Sequence, residues 1–275
     1  MPNTLRRLAD DEHLAVALSP VINDIVKDVR LVYYAPDVYM PPHTHSVAQL
    51  STLLCGQAKE RTLNTEFSQT KGMVEYKPVA YQHSNQIGPN GALFLSINLD
   101  AEEDEFVAEF GHVNWHLSQV KQTRSLWRQL SAVLFNPANA GHVDLEATVL
   151  GMFSASKGDT PSFRQPPVWL LLAQQALHET SMNIQQIALD VGVHRVHLSR
   201  VFHDHFGLSI SEYRQSLAVQ KGIAEILSHR QTITTASVSA GFADQSHFTR
   251  TLKKHLGVTP KALQTLLAHT PRSGA

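Results

Sequence analysis

Ile184-Gln185-Gln186-Ile187-Ala188 runs into Gly192-Val193 and then into His197-Leu198-Ser199-Arg200-Val201-Phe202, closing on His205-Phe206-Gly207-Leu208-Ser209. The same order returns as Ile233, Gly241-Phe242, His247-Phe248-Thr249-Arg250-Thr251-Leu252 and His255-Leu256-Gly257-Val258-Thr259. The offset between the copies is 49 residues up to the glycine and 50 after it, which places one inserted residue in the turn and keeps the flanking helices equal in length. Ile184, Ile187, Ala188 and Val191 share one face of a short helix, and Leu198, Val201 and Phe202 resume the three-and-four spacing on a second. Gly192 separates them, because glycine enters the left-handed conformation of a sharp turn without a Cβ clash. Two helix-turn-helix units are expected, each with a second helix of the kind that enters a DNA major groove.

Between the copies, Ser209 to Arg230 carries Tyr213, Leu217, Val219, Ile223, Ile226 and Leu227, an apolar stripe that suits one longer helix joining the units at a fixed separation. Gly241-Phe242-Ala243-Asp244-Gln245-Ser246-His247-Phe248-Thr249-Arg250, followed by Gly257-Val258-Thr259-Pro260, resembles the signature of AraC/XylS-type transcriptional regulators, and the resemblance extends from about Pro167 to Leu266. It implies a seven-helix DNA-binding domain whose two units read successive major-groove segments on one face of the DNA. Carried over position by position, it puts the base-reading side chains at Val196, Ser199 and Arg200 in the first unit and at Gln245, Ser246, Thr249 and Arg250 in the second. Arginine can bond bidentately to guanine and glutamine to adenine, whereas serine and threonine discriminate less and often contact phosphate. Arg195, Lys253, Lys254 and Lys261 read as phosphate contacts or as solvated charge. Two positions depart from the pattern. His194 stands where a capping serine or threonine is usual, and Thr234-Thr235-Ala236-Ser237-Val238-Ser239 is poor in helix formers.

Charge divides the chain. Residues 1–167 carry 13 basic against 18 acidic side chains, and residues 168–275 carry 10 against 6, so net charges of −5 and +4 hide inside the overall −1. The basic half is the one expected to face DNA. The single cysteine, Cys55, excludes an internal disulfide framework and suits a reducing compartment. No apolar run approaches membrane-spanning length and no signal-peptide core follows Met1, so a cytoplasmic protein without membrane partners is expected.

The first half reads as strands. Val29 to Tyr34, Gln49 to Leu54 and Ala92 to Leu99 are short, rich in apolar and β-branched residues, and bounded by proline, glycine or asparagine. They suggest a small antiparallel barrel. His43, His45 and Gln49, with Gly56 seven residues on, and then Gly72, Pro78 and His83, resemble the two cupin motifs in spacing. Alternate strand residues face one side, so His43 and His45 can share a pocket with Gln49 and with His83 from a distant strand. Three imidazoles and one oxygen suit a divalent metal ion such as zinc, nickel or iron. The alternative is a metal-free pocket whose histidines hydrogen-bond an organic effector. The pattern departs from the family at Asp37 and Ala80, where glycines are usual, and at Gln49, where glutamate is usual. Asn85, His112 and His116 read as surface or structural residues.

The fold class expected is therefore α+β: a cupin-like β-barrel sensor domain over residues 1–110, a helical dimerisation segment over 111–155, a linker over 156–167, and an all-α domain with two helix-turn-helix units over 168–275. Val120, Leu126, Trp127, Leu130, Val133 and Leu134 carry the amphipathic spacing of the helical segment, and its pairing with a second subunit is implied by the resemblance. The acidic cluster from Asp100 to Glu109 reads as a solvated loop or helix start, and residues 1–19 as an arm or as a strand against the barrel. The function expected is sequence-specific transcriptional regulation as a homodimer on double-stranded DNA, responding to a small-molecule or metal effector, with RNA polymerase a candidate partner. Two alternatives are a metal-dependent cupin enzyme, against which stands the lack of a clear catalytic acid or base near the motif, Glu60 and Glu75 being placed only by sequence, and a constitutive DNA binder with a structural barrel.

Overall fold

The computed structural model describes residues 6–7, 13–18, 26–69, 73–99, 113–116, 147, 149, 151 and 166–268. Almost all of the expected helical segment and linker, the acidic cluster, His112 and much of residues 1–25 lie outside that set. The chain forms two compact units, one from residues 1–160 together with 220–275 and the other from 161–219.

Nine strands build the sheet: β1 (Arg6–Arg7), β2 (His13–Leu18), β3 (Val26–Tyr34), β4 (Val38–His43), β5 (Ala48–Arg61), β6 (Glu66–Gln69), β7 (Met73–Lys77), β8 (His83–Leu99) and β9 (Val113–His116). β5 and β8 are longer than the spacing of turn residues predicts, because both pass through glycines without ending. Bulges after Leu53 and Gly56 break their register, and Gly56 has a φ of +102° at a point where a Cβ would sit 2.2 Å from the Gly91 carbonyl oxygen. Glycine alone permits that approach. On one side of the bend the order is β2-β3-β8-β5-β7-β9, and on the other it is β1-β4-β8-β5-β6. β1, β2, β6 and β9 each pair on one side only, so among the described residues the expected barrel is an open, bent sheet folded over a cavity.

Residues 13–18 are a strand of this sheet, which is one of the two readings of the N-terminal segment. Val113–His116, assigned in sequence to the start of the helical segment, pairs instead with β7. The alternation of Val113 and Trp115 suits a strand, and the helical spacing begins only at Val120.

The sheet is layered in an unusual sense. Val29, Leu31, Tyr33, Leu50, Tyr76, Leu95 and Ile97 share one face and are at most 2 % exposed. The other face, which lines the cavity, carries Asp28, Arg30, Gln49, Ser51, Lys77, Ser96 and Asn98. An apolar floor of Val38, Met40, Leu53, Ala58, Ile87, Ala92 and Phe94 closes one end. Polar side chains thus occupy the positions that a purely structural sandwich would fill with aliphatics.

From Val168 on, seven helices follow among the described residues: α1 (Val168–Glu179), α2 (Ile184–Asp190), α3 (Arg195–Phe206), α4 (Ile210–Leu227), α5 (Ile233–Ser239), α6 (Gln245–Leu256) and α7 (Pro260–Ala268). The inserted residue falls where the repeat offset placed it: the α2–α3 turn spans 191–194, the α5–α6 turn spans 240–244, and paired helices match at 7 and 12 residues. Gly192 and Gly241 adopt φ of +72° and +87° in those turns. In the first unit Leu170, Ala173, Leu177, Ile187, Ala188, Leu198, Phe202 and Ile210 form one core. Tyr213 packs against it with its hydroxyl bonded to Gln174 Nε2 and His178 Nε2, both at 2.8 Å. Burial lowers the His178 pKa, so its neutral ring can accept the Tyr213 proton. In the second copy, Gly222 of α4 lets the buried Phe248 ring of α6 approach to a point where a Cβ would meet it at 2.6 Å.

Candidate functional site

His43 at the end of β4, His45 just beyond it and His83 at the start of β8 converge. His43 and His83 are paired in register, and one ligand nitrogen from each of the three rings lies within 4.8 Å of the others. Ring centroids are 4.4 Å apart for His43 and His83, 5.1 Å for His43 and His45, and 5.2 Å for His45 and His83. His43 Nδ1 is 2.8 Å from the Pro41 carbonyl and His83 Nδ1 is 3.2 Å from the Tyr81 carbonyl. A carbonyl only accepts, so both Nδ1 atoms carry hydrogen, and a neutral ring held this way presents its Nε2 lone pair. This backbone anchoring through the far nitrogen is how metal-ligating histidines are usually oriented. Burial, with His43 and then Lys77 and Arg30 adding to it, lowers the His45 pKa to about 4. Burial followed by Lys77 lowers that of His83 to about 3. Both rings are neutral at physiological pH, the state in which imidazole binds a metal.

Gln49 lines the same cavity, and its orientation follows from a chain of donors and acceptors. The Asp28 carboxylate, clamped by Arg30 at 2.9 Å through each oxygen, accepts from Asn98 Nδ2 at 2.9 Å. Asn98 Oδ1 must then accept, which it does from Gln49 Nε2 at 3.1 Å. Gln49 Oε1 is left as the end of the amide free to serve a ligand. Glu60 and Glu75, the carboxylates on which an enzymatic reading would depend, are both engaged by Lys77, at 2.9 and 3.1 Å. Asn85 is buried and lines the cavity, which removes the surface alternative of its reading and leaves the structural one. The signal was present as period-two polarity: Asn85 follows His83 by two residues, as Ser51 follows Gln49.

Asp37 and Ala80, which depart from the expected motif glycines, have φ of +59° and +61°. Pro78 to Tyr81 forms a turn closed by Tyr81 N to Pro78 O at 3.2 Å, with Ala80 at the position where such turns need positive φ. The Ala80 amide also donates to the His45 carbonyl at 3.0 Å.

The remaining candidate residues lie on two helix faces, one on α3 and one on α6, each in its own unit. Val196, Ser199 and Arg200 are exposed on α3, and Gln245, Ser246 and Arg250 are exposed on α6, with Thr249 half-buried. Leu198 and Phe202 on α3, like Phe248 and Leu252 on α6, are fully buried on the opposite faces. His194 does cap α3, its Nδ1 accepting from Val196 N at 3.3 Å. Asp244 caps α6 through His247 N at 2.6 Å, and α5 forms despite its composition, capped by Thr232 and anchored by buried Ala236 and Ser237. Thr234 Oγ1 donates to Gln245 Oε1 at 2.7 Å, so α5 holds the reading side chain of α6. Arg195, Lys253, Lys254 and Lys261 are exposed.

Residues 190–265 match the family model of a helix-turn-helix domain. The transcriptional regulator MxiE of Shigella flexneri is 25% identical over 97 residues, which is 35% of this chain and 46% of MxiE. The probable transcription factor PqrA of Proteus vulgaris is 29% identical over 89 residues, 32% of this chain and 73% of PqrA. The chain therefore spans less than half the length of MxiE. Among solved structures, ToxT from Vibrio cholerae O395 aligns over 94% of this chain and 98% of its own at 13% identity and a TM-score of 0.37. The C-terminal part of this chain thus carries a helix-turn-helix domain, and the proteins it resembles there are transcription regulators. Among the described residues no helix is long and apolar enough to cross a membrane.

Proposed function

We propose that this protein is a sequence-specific, DNA-binding transcription regulator controlled by an effector bound in the polar cavity of its N-terminal sheet. The observation that carries the DNA-binding half is the duplication: two capped helix-turn-helix units of matched length, each turning a polar face outward. Arg200 and Arg250 are the guanine-reading candidates, Gln245 the adenine-reading one, and Val196, Ser199, Ser246 and Thr249 complete the contact surface. His43, His45 and His83, with Gln49 supplying an oxygen, fit a divalent ion, because two of the rings are fixed with Nε2 lone pairs free and two are held neutral. When bound, zinc, nickel or iron would offer an open position to which an effector's donor atom could attach. Homodimerisation through residues 111–155 and contact with RNA polymerase complete the reading. Any effector acts only by the difference in its affinity for the DNA-competent and incompetent arrangements.

Selection of binding sites from random DNA, followed by footprinting, tests the first half. The expected result is one enriched sequence with two protected segments about 10 base pairs apart. Binding without sequence preference would overturn it. Metal content of the full-length protein and of His43→Ala/His45→Ala tests the histidine site, with near-stoichiometric metal in the first and none in the second as the expected result.

A further inference from the structure

Beside the histidines, Lys77, Gln69 and Asn85 of the cavity wall are backed by two buried carboxyl groups, Glu60 and Glu75, in a cluster that neither DNA binding nor metal ligation uses. Lys77 Nζ lies 2.9 Å from Glu60 Oε2 and 3.1 Å from Glu75 Oε2, and the three side chains are 5%, 0% and 2% exposed. Gln69 Nε2 donates to the same two oxygens at 3.3 and 2.7 Å. With both carboxyls ionised, two carboxylates and one ammonium would leave one negative charge in excess among side chains that are almost wholly buried. On the far side of these groups Glu60 Oε1, Gln69 Oε1 and Asn85 Oδ1 are buried and accept no hydrogen bond from the described residues. They belong together: Asn85 stands opposite Glu60 in the β5–β8 register, Gln69 is bonded to Glu60, and Gln69 and Asn85 both line the cavity. Buried polar atoms without a protein partner call for a water, an ion or a ligand beside them.

We propose that the cavity binds its effector through a primary ammonium group seated on Glu60, Gln69 and Asn85. This rests on the reading of the cavity as the effector site. A primary ammonium carries one positive charge and three donors, which matches one excess charge and three bare acceptors. A hydroxyl would satisfy the oxygens and leave the charge, and a quaternary ammonium would do the reverse. The cavity, ≈ 390 Å³, has room for a small molecule whose amine sits here while its other end faces the three imidazoles. Without an amine, burial drives the Glu60 carboxyl up to about 8, against the pull of Lys77 and with help from Glu75. At neutral pH Glu60 thus holds the proton that the ammonium would replace.

The test is calorimetric titration of the full-length protein with ethylammonium chloride at pH 7, in two buffers of different ionisation enthalpy. Tetramethylammonium and potassium chloride serve as matched cations. Saturable ethylammonium binding is expected, with release of about one proton per amine and at least tenfold weaker binding of both other cations. Glu60→Gln should abolish the proton release, and Asn85→Ala, independent of the charge cluster, should weaken binding about tenfold, with folding of both checked by circular dichroism. Potassium binding as well as ethylammonium, uptake without proton release, or no uptake would overturn the proposal. The broader reading fails separately: if ethylammonium binds as stated but no amine or metal alters DNA affinity, the ammonium site stands and the regulatory role of the cavity falls. If another molecule alters DNA affinity while ethylammonium does not bind, the reverse holds.

Discussion

Replacing Glu60 by glutamine should make this protein more resistant to unfolding, by an amount that grows with pH. Glu60 is fully buried, with Oε2 held by Lys77 and Gln69 and Oε1 bare. Its folded-state pKa is about 8 against a usual value of 4.5. Below pH 4.5 the carboxyl is protonated in both the folded and the unfolded chain and contributes no pH dependence. Between 4.5 and 8 the unfolded chain releases the proton and the folded chain keeps it, so stability falls as pH rises. Each pH unit in that window is worth about 1.4 kcal/mol, which brings the full effect to roughly 4–5 kcal/mol by pH 8. Glutamine has no proton to lose. Whatever hydrogen bonding the substitution changes is independent of pH, so the slope isolates the charge. Urea unfolding of both proteins, without amines, from pH 4 to 8 reads it directly. Parallel stability curves would refute the argument, and so would a difference that shrinks as pH rises.

Other substitutions probe other parts of the molecule. Ala80→Gly should stabilise by about 0.5–1 kcal/mol, because the left-handed conformation costs alanine about 1–2 kcal/mol and glycine returns part of that as chain entropy; a lower melting temperature would contradict the turn assignment. Gly222→Ala should destabilise by about 1–3 kcal/mol although alanine favours helix, since its methyl would meet the Phe248 ring at 2.6 Å; thermal unfolding decides. Arg200→Ala and Arg250→Ala should each cost about 1–3 kcal/mol of discrimination at one base pair. Binding to single-base variants of the selected site reads that loss, and unchanged preference in both proteins would remove these arginines from base reading. Lys253→Ala should instead weaken binding to all sequences alike and lower the salt dependence by about one unit of slope.

The two halves of the molecule differ in how much of them could be read without coordinates. A helix-turn-helix is local: its apolar spacing, its turn glycine and its caps lie within about twenty residues, and the repeat offset alone located the longer turn between α5 and α6. The histidines too were legible, because His43, His45 and His83 sit at motif spacings that strand geometry makes meaningful. What surrounds them was not. Lys77 faces Gln49 and Asn85 faces Glu60 only because β7 and β8 flank β5 in one register, and pairing between distant strands is chosen by the whole sheet rather than by any segment. The polarity of alternate positions in β3, β5 and β8 was written in the chain, yet which face would line a cavity and which would be buried against apolar neighbours was decided only by the bend at Gly56 and Gly91. Likewise, sequence shows Asp37 and Ala80 at positions where the resemblance leads one to expect glycine. Only the folded backbone shows that both take the left-handed conformation, held at Ala80 by a closed turn and a bond to His45.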